Sequence, residues 1–411
     1  MRTEQNHSEE ISAVVAGGGP VGLAAAAALA HVGIDSALVA PAESPARRDT
    51  RSTALFGGSL ELLRHLGAWP ALEAVAAPLV GLRLIDDTGG LLRAPETLFR
   101  ASELGLDCFG WNIENVDLTR VLLQLVADSD LIDRRHGSVT GLEVYDDRIA
   151  VRSDAAEGAA VCCRLLVGAD GRGSVSRRAA GITTTQWSYP QSALAVRFEH
   201  TRPHGNISTE FHRRGGPLTT VPLPGNQSSL VWVDTPETMA DLMALEPDAF
   251  CATLEDNLQG LLGGVVDAGP RSAFPLSGLS VASMGRQRVA LVGEAAHVLP
   301  PIGAQGLNLG LRDVAWIAEL AGAARRRGED IGSAELLAAY DDARRADVTS
   351  RTMAVDLFNR SLVADMLPLD LLRGAGLIGL DLMPWLRRLV MREGITPSNG
   401  DTPALLRPPP S

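Results

Sequence analysis

Three stretches of the 411-residue chain carry residue types and spacings that could do chemistry. The first is Gly17-x-Gly19-x-x-Gly22, directly after the apolar run Ile11 to Ala16 and at the start of an alanine-rich segment. In a strand-turn-helix of this kind the first glycine permits the tight turn and the second lets backbone approach a pyrophosphate. The third lets the helix pack on the strand. The helix start adds free N–H groups and the positive end of a dipole, which together attract phosphate. The second stretch is LLVGADGRGSVSR, where a strand ends at Gly168 and Asp170-Gly171 lead into a turn and a basic helix start. By spacing alone it reads more readily as a surface Asp-Gly turn. The third is RVALVGEAAHVLPPIGAQGLNLGLRDVAWIAEL, a strand running into Gly293-Glu294, a Pro-Pro turn and a helix start near Ala304. Exposed backbone N–H groups there make an anion site, and Gly303 and Gly306 keep side chains away from a flat ligand.

Strands and helices must hold these stretches in place. Residues 11–40 read as a βαβ unit, with Leu23 to His31 as the helix and Ser36 to Val39 as the second strand after the helix-ending Gly33. The acidic residue that usually binds ribose at the end of that strand is missing. Its position falls on Ala40, with Glu43 three residues later, so either Glu43 reaches back or the ribose is held otherwise. Residues 59–67 and 116–127 have the apolar spacing of amphipathic helices. Residues 139–167 read as a short β-meander, and 193–235 as a separate antiparallel sheet with turns at His204-Gly205-Asn206, Gly215-Gly216-Pro217 and Pro224-Gly225-Asn226. Beyond the strand Arg288 to Val292 the chain becomes mostly helical to about residue 395 and ends in NGDTPALLRPPPS, read as a disordered tail.

Composition removes whole classes. All 37 basic side chains are arginine, because the chain has no lysine. Pyridoxal-phosphate and Schiff-base chemistry need a lysine amine, and a Walker-type site needs a lysine on the phosphates. Arginine cannot replace it in the first two, since it does not give up its proton at neutral pH. A net charge of −12 argues against nucleic acid as a partner. The four cysteines form no C-x-x-C pair, which suggests reduced thiols and a cytoplasmic location; no metal is expected. The polar start MRTEQNHSEE lacks the basic region of a signal peptide. The apolar span Leu371 to Met391 is broken by Arg373, Asp381, Pro384, Arg387 and Arg388.

GGGPVG, DTRSTAL at 49–55, GADG with Ser174 and Arg177, and GEAAHVLPPIGAQGLNLGLRD, in that order, resemble the FAD-dependent aromatic hydroxylases of the p-hydroxybenzoate hydroxylase type. The NIEN segment and the layout look closest to their ubiquinone-biosynthesis branch. The resemblance implies an α/β protein: a Rossmann-like FAD-binding domain, an inserted antiparallel β-sheet substrate domain and C-terminal helices. Residues 11–80, 110–185 and 276–360 would form the FAD domain, 81–109 and 186–275 the substrate domain, 361–395 a helical segment, and 396–411 the disordered tail. It further implies FAD as cofactor, NAD(P)H as co-substrate, and O2 with a small aromatic or polyprenylated phenolic substrate. Contact with the inner face of a membrane or with a biosynthetic complex is compatible with it.

Carried onto this chain, the resemblance implies that Gly17, Gly19 and Gly22 hold the FAD pyrophosphate and that Arg51 contacts FAD. Asp170 and Gly171 would serve FAD and nicotinamide, and Gly293 and Glu294 would meet the ribityl chain, where the family has aspartate in place of Glu294. Gly306, Leu307 and Asn308 would lie against the pyrimidine edge of the flavin, Asn112 and Asn115 near it, and Pro301 would wall the reaction site. Gln305 stands where p-hydroxybenzoate hydroxylase has a lysine, so positive charge there must come from arginine or the helix end. Tyr189, at the domain crossover, is a candidate catalytic residue. The default for His297 is a structural hydrogen bond, and for Glu210, His212, Arg197 and Trp232 core or surface positions. Flavin halogenases of this fold need a lysine, and disulfide reductases need a second dinucleotide fingerprint and paired cysteines; neither pattern is here. A FAD oxidoreductase without oxygen insertion, or a non-catalytic flavoprotein subunit, stay open as alternatives.

Overall fold

The computed structural model describes residues 10–42, 49–89, 95–154, 160–363, 387–389, 391–392 and 402–408. Its frame is an eight-stranded sheet around strand Glu10–Ala16, which lies parallel to Ser36–Ala40 on one side and Val161–Gly168 on the other. Ile132–His136 and Val289–Leu291 extend the parallel run outward. The side chains of the central strands, such as Val14, Val15, Leu165 and Leu166, are buried on both faces, as a parallel sheet covered by helices demands. The first helix, Pro20–His31, is buried from Gly22 to Leu29 because its run of alanines lets it sit between the sheet and the long helix Gln305–Arg327. Small residues on both helices permit the approach: a Cβ on Gly322 would lie 2.9 Å from Cβ of Val32. The expected meander is present as Val139–Val144, Ile149–Ser153 and Val161–Gly168, and its last strand doubles as a central strand of the parallel sheet.

A second, nine-stranded sheet is built on Thr184–His200, a 17-residue strand of which only the second half is legible as a strand in the sequence. Gln227–Asp234, Leu218–Leu223 and Ile207–His212 follow in antiparallel order. Within this otherwise antiparallel sheet one pair is parallel, Ile207–His212 with Gly81–Asp86, and Thr97–Arg100 closes the edge antiparallel to the latter. Gly81–Asp86 arrives from an earlier excursion of the chain, so no hairpin dictates its direction. Alternation gives the sheet two distinct faces. Leu194, Val196, Phe211, Leu218, Leu230 and Trp232 pack beneath helices Pro236–Ala244 and Pro247–Asn257. Ala195, Ser208, Glu210, Thr219, Val221 and Val231 line the opposite side and face a cavity. A small antiparallel sheet of Ser52–Phe56, Gly110–Glu114 and Ala77–Leu79 closes the space between the two large ones.

The last long helix spans Ala334–Val363, and most of the expected 361–395 helical segment lies outside the described residues. The expected disordered tail needs correction at 402–408. Ala404–Leu406 form a helical turn that docks on Gly57–His65 and Gln305–Arg327, with Leu405 and Leu406 buried. The backbone N–H of Ala404 donates to Glu319, and His65 bonds the Arg407 carbonyl at 2.9 Å. The proline-rich composition hid two leucines with an apolar place to go. Replacing both with alanine should cost roughly 3–6 kcal/mol, at ~1.5–3 per buried leucine, and release the terminus to carboxypeptidase; unchanged resistance and melting would refute the docking. Cys162 and Cys163 are both buried, and burial pushes the Cys163 thiol up to about 12, so these are packing groups.

Candidate functional site

A cavity of about 660 Å³ runs between the two large sheets, and all three glycine-rich stretches reach it. At its polar end Gly17 takes φ +114°, and a Cβ there would stand 2.3 Å from the Ala169 carbonyl oxygen. On Gly22 a Cβ would stand 2.0 Å from the Gly17 carbonyl oxygen, so this glycine lets the turn fold back on the helix start. A Cβ on Gly19 would meet nothing within 4 Å, which leaves its backbone open to the cavity. The first helix starts at Pro20 with no side-chain cap.

Opposite stands the N-terminus of Gln305–Arg327. Ala304, at φ +53°, supplies no side-chain cap, and no acidic residue occupies the first turn. Gly306 and Leu307 line the cavity, and a Cβ on Gly306 would again meet nothing within 4 Å. Asn308 is not among the residues that line the cavity. Its buried amide donates to the carbonyls of Ala54 and Ala304 at 2.7 Å and accepts from the Phe56 N–H, tying the helix to strand Ser52–Phe56. Behind Gln305, Arg351 donates to its side-chain oxygen at 2.6 Å, so an arginine does stand near this helix end.

Charge at the polar end comes in pairs. Arg51 makes a two-pronged contact with Asp49 at 2.7 Å, and Asn115 donates to the same carboxylate at 3.0 Å. Burial alone would raise the Asp49 pKa, but the hydrogen bonds and charge of Arg51 and the Asn115 amide hold it below the ordinary carboxylate range. Arg172 donates to Glu294 at 3.2 Å and to Ser277 at 3.2 Å. Asn112 donates to the Pro222 carbonyl, and its own buried carbonyl oxygen has no partner. Gly171, Gly293, Glu294 and Pro301 line the cavity. Asp170 does not: both its oxygens are taken by Ser174 and Ser176 at the start of its own short helix, at 2.5 to 3.0 Å. Glu43 lies outside the described residues.

A buried ionic network sets the third stretch in position. Asp313, on the buried face of the long helix, accepts from the Gly293 N–H at 3.0 Å, bonds His297 at 2.7 Å and accepts from Arg344 at 2.7 Å. Arg344 also reaches Asp347, which holds Arg351. Burial alone would raise the Asp313 carboxyl, yet His297, Arg344 and the Gly293 N–H keep it below the ordinary range. His297 is therefore structural. Arg177, nearly buried, joins the second stretch to the third by donating to the carbonyls of Arg172 and Ala295 at 2.7 Å.

The other end of the cavity is mostly apolar, with Leu79, Leu82, Phe99, Phe109 and Met391 around the open face of the mixed sheet. Tyr189 is not among its lining residues. Its hydroxyl bonds Asp356 and Trp187 at 2.6 Å, in the joint between the mixed sheet and the Ala334–Val363 helix. Trp232 packs under the covering helices, and Arg197 pairs with Glu114 at 3.5 Å. Glu210 does line the cavity and bonds His212 at 2.8 Å. Arg172 and Asp49 were given no role from the sequence, although Arg172 directly follows Gly171 and Asp49 lies two residues before Arg51. For Asp313 the signal was a carboxylate on the apolar face of a helix.

This end-to-end arrangement suits FAD. Two uncapped helix starts face one cavity, glycines stand where a side chain would fill it, and a buried amide oxygen at Asn112 awaits a donor. Residues 10–355 match the family described as FAD binding domain. The chain is 35% identical to ubiquinone hydroxylase UbiL of Rhodospirillum rubrum, over 96% of this chain and 92% of that one. It is 31% identical to 3-demethoxyubiquinol 3-hydroxylase of Escherichia coli, over 95% and 99%. Among solved structures, p-nitrophenol 4-monooxygenase PnpA of Pseudomonas putida superposes with a TM-score of 0.78 at 18% identity, covering 95% of this chain and all of that one. Klebsiella pneumoniae HpxO, complexed with FAD and uric acid, gives 0.74 at 20% identity, covering 94% and 96%.

Proposed function

The chain belongs to the FAD-binding-domain family and is a flavin-dependent hydroxylase; from that premise we propose that it uses NAD(P)H and O2 to hydroxylate a prenylated phenol in ubiquinone biosynthesis. The observation that carries the substrate class is the two-ended cavity: a polar cofactor end continues into an end walled by Leu79, Leu82, Phe99, Phe109 and Met391, which suits an apolar ring substituent. The names of the Rhodospirillum rubrum and Escherichia coli relatives support the same class.

When bound, FAD supplies electron uptake from NAD(P)H and activation of O2 for transfer of one oxygen atom to the ring. The protein supplies position and field. Backbone at Gly19 and the first helix start hold the diphosphate, and Arg51 adds a cation at that end. The helix start at Gln305 to Leu307, with Arg351 behind Gln305, would hold the ring end of the cofactor and offer it a positive field. Leu299, Pro300 and Pro301 wall the passage between the two ends against water. A prenylated substrate resides in lipid, so the reading includes peripheral contact with a membrane. Among the described residues no helix is long and apolar enough to cross one.

The test is a panel of phenols with short prenyl chains, scored by stimulated NAD(P)H oxidation together with product mass. A product heavier by one oxygen atom is expected. Stimulated oxidation that releases only peroxide, or a substrate changed without added oxygen, would overturn the reading.

A further inference from the structure

One carboxylate stands apart from the paired charges at the cofactor end. Among the described lining residues Asp49, Arg51, Arg172 and Glu294 are already matched with one another near the glycine-rich stretches. Glu210 instead projects from the mixed sheet among Leu82, Ser208, Thr219, Val221 and Val231. Its side chain is only 12% exposed, and no arginine is among its hydrogen-bond partners: it bonds His212 Nε2 at 2.8 Å and accepts from Thr219 at 3.4 Å. His212 is itself 3% exposed and lies two residues along the strand, on the same face. A carboxylate in so apolar a wall is costly unless it is held and used.

We propose that Glu210 is the acid–base residue for the substrate's phenolic hydroxyl and that His212 is its positioning residue. The proposal rests on the phenol-hydroxylase reading above. Glu210 takes the O–H proton as the ring's electron pair forms the new carbon–oxygen bond and the O–O bond of the activated oxygen breaks. The attacked ring carbon then loses its hydrogen as a proton to the oxygen left behind, which takes a second proton, delivered with the electrons of NAD(P)H, and departs as water. Glu210 returns its own proton to the phenolic oxygen as the ring regains aromaticity. His212 keeps an N–H donor on Oε1 throughout, which leaves Oε2, held only by the 3.4 Å contact from Thr219, as the oxygen that takes the proton.

The test uses the FAD-loaded protein with a phenol carrying one prenyl unit and, beside it, the methyl ether of that phenol. Glu210→Gln is expected to keep the flavin spectrum and the phenol-induced change in it. Product formation should fall by roughly 100-fold or more, the usual worth of a general base, with peroxide released in its place. Glu210→Asp should recover part of the product. His212→Gln, which retains a donor, should couple NAD(P)H use to product far better than His212→Leu. With the methyl ether, which has no proton to give, any turnover by wild type and Glu210→Gln should be alike. If the wild type hydroxylates the phenol and Glu210→Gln matches it within a few-fold, the assignment of Glu210 is overturned and the hydroxylase reading stands. If the wild type inserts no oxygen into any phenol, the reading falls and takes this proposal with it.

Discussion

Gly306→Leu is expected to give a folded but colourless protein. A Cβ at this position meets nothing within 4 Å, so leucine clashes with no protein atom, and a helix position gains up to about 1 kcal/mol when glycine is replaced. The new side chain instead fills the space above the bare N–H groups at the start of the Gln305–Arg327 helix, where the proposed placement puts the flavin ring. Losing those contacts, at about 3 kcal/mol, weakens FAD binding by roughly 100-fold. The check is the flavin absorbance that survives gel filtration, with melting compared in FAD-free protein so that cofactor stabilisation does not enter. A variant that keeps its full flavin spectrum would sink the placement of the cofactor. Gly22→Val is the contrasting control. Its Cβ would meet the Gly17 carbonyl at 2.0 Å, backbone that cannot move aside, and the fold itself should suffer.

The second large effect belongs to Asp313→Ala. This carboxylate is fully buried and compensates Arg344, which is also buried, while holding the Gly293 N–H and His297. Removing one partner of such a pair strands the other charge and costs about 3–5 kcal/mol. The Gly293-Glu294 turn should loosen with it, so weaker FAD binding should accompany the loss of stability. Urea unfolding measures the first and flavin retention the second; a variant as stable as the wild type would show that the network contributes nothing. The sign with pH follows from the depressed pKa of Asp313. Its stabilisation is fully present above the ordinary value of 3.8 and is lost as pH falls through the lower folded value. The difference between wild type and Asp313→Ala should therefore be constant at neutral pH and close only below about pH 4.

Local patterns made the cofactor end readable. Gly17 and Gly22 are required by the backbone path, and Gly19 and Gly306 leave backbone open to the cavity; those features act over a few residues, so they leave a mark in the string. The same holds for the βαβ unit, where alternating apolar runs and an alanine helix announce themselves. Side chains whose partners are distant in sequence were harder. Spacing alone reads Asp170 as part of a surface turn and only the resemblance makes it a ligand; the bonds to both its oxygens from Ser174 and Ser176 are not written in that spacing. Nor is the bond by which Asn308 pins its helix to a strand more than 250 residues earlier. Tyr189 met Asp356 on the last long helix, a contact no local pattern announces.

The sequence by itself determined the cofactor class, the absence of lysine chemistry and the order of the three glycine-rich stretches, because each depends on residue type and short spacing. Only the tertiary structure decided which polar residues face the cavity, that the Leu405-Leu406 turn docks, and that Glu210 looks into the substrate end with His212 behind it. Those outcomes depend on strand direction and on pairs brought together across the chain. Such pairing is fixed by the free energy of packing the whole molecule and has no counterpart in local spacing.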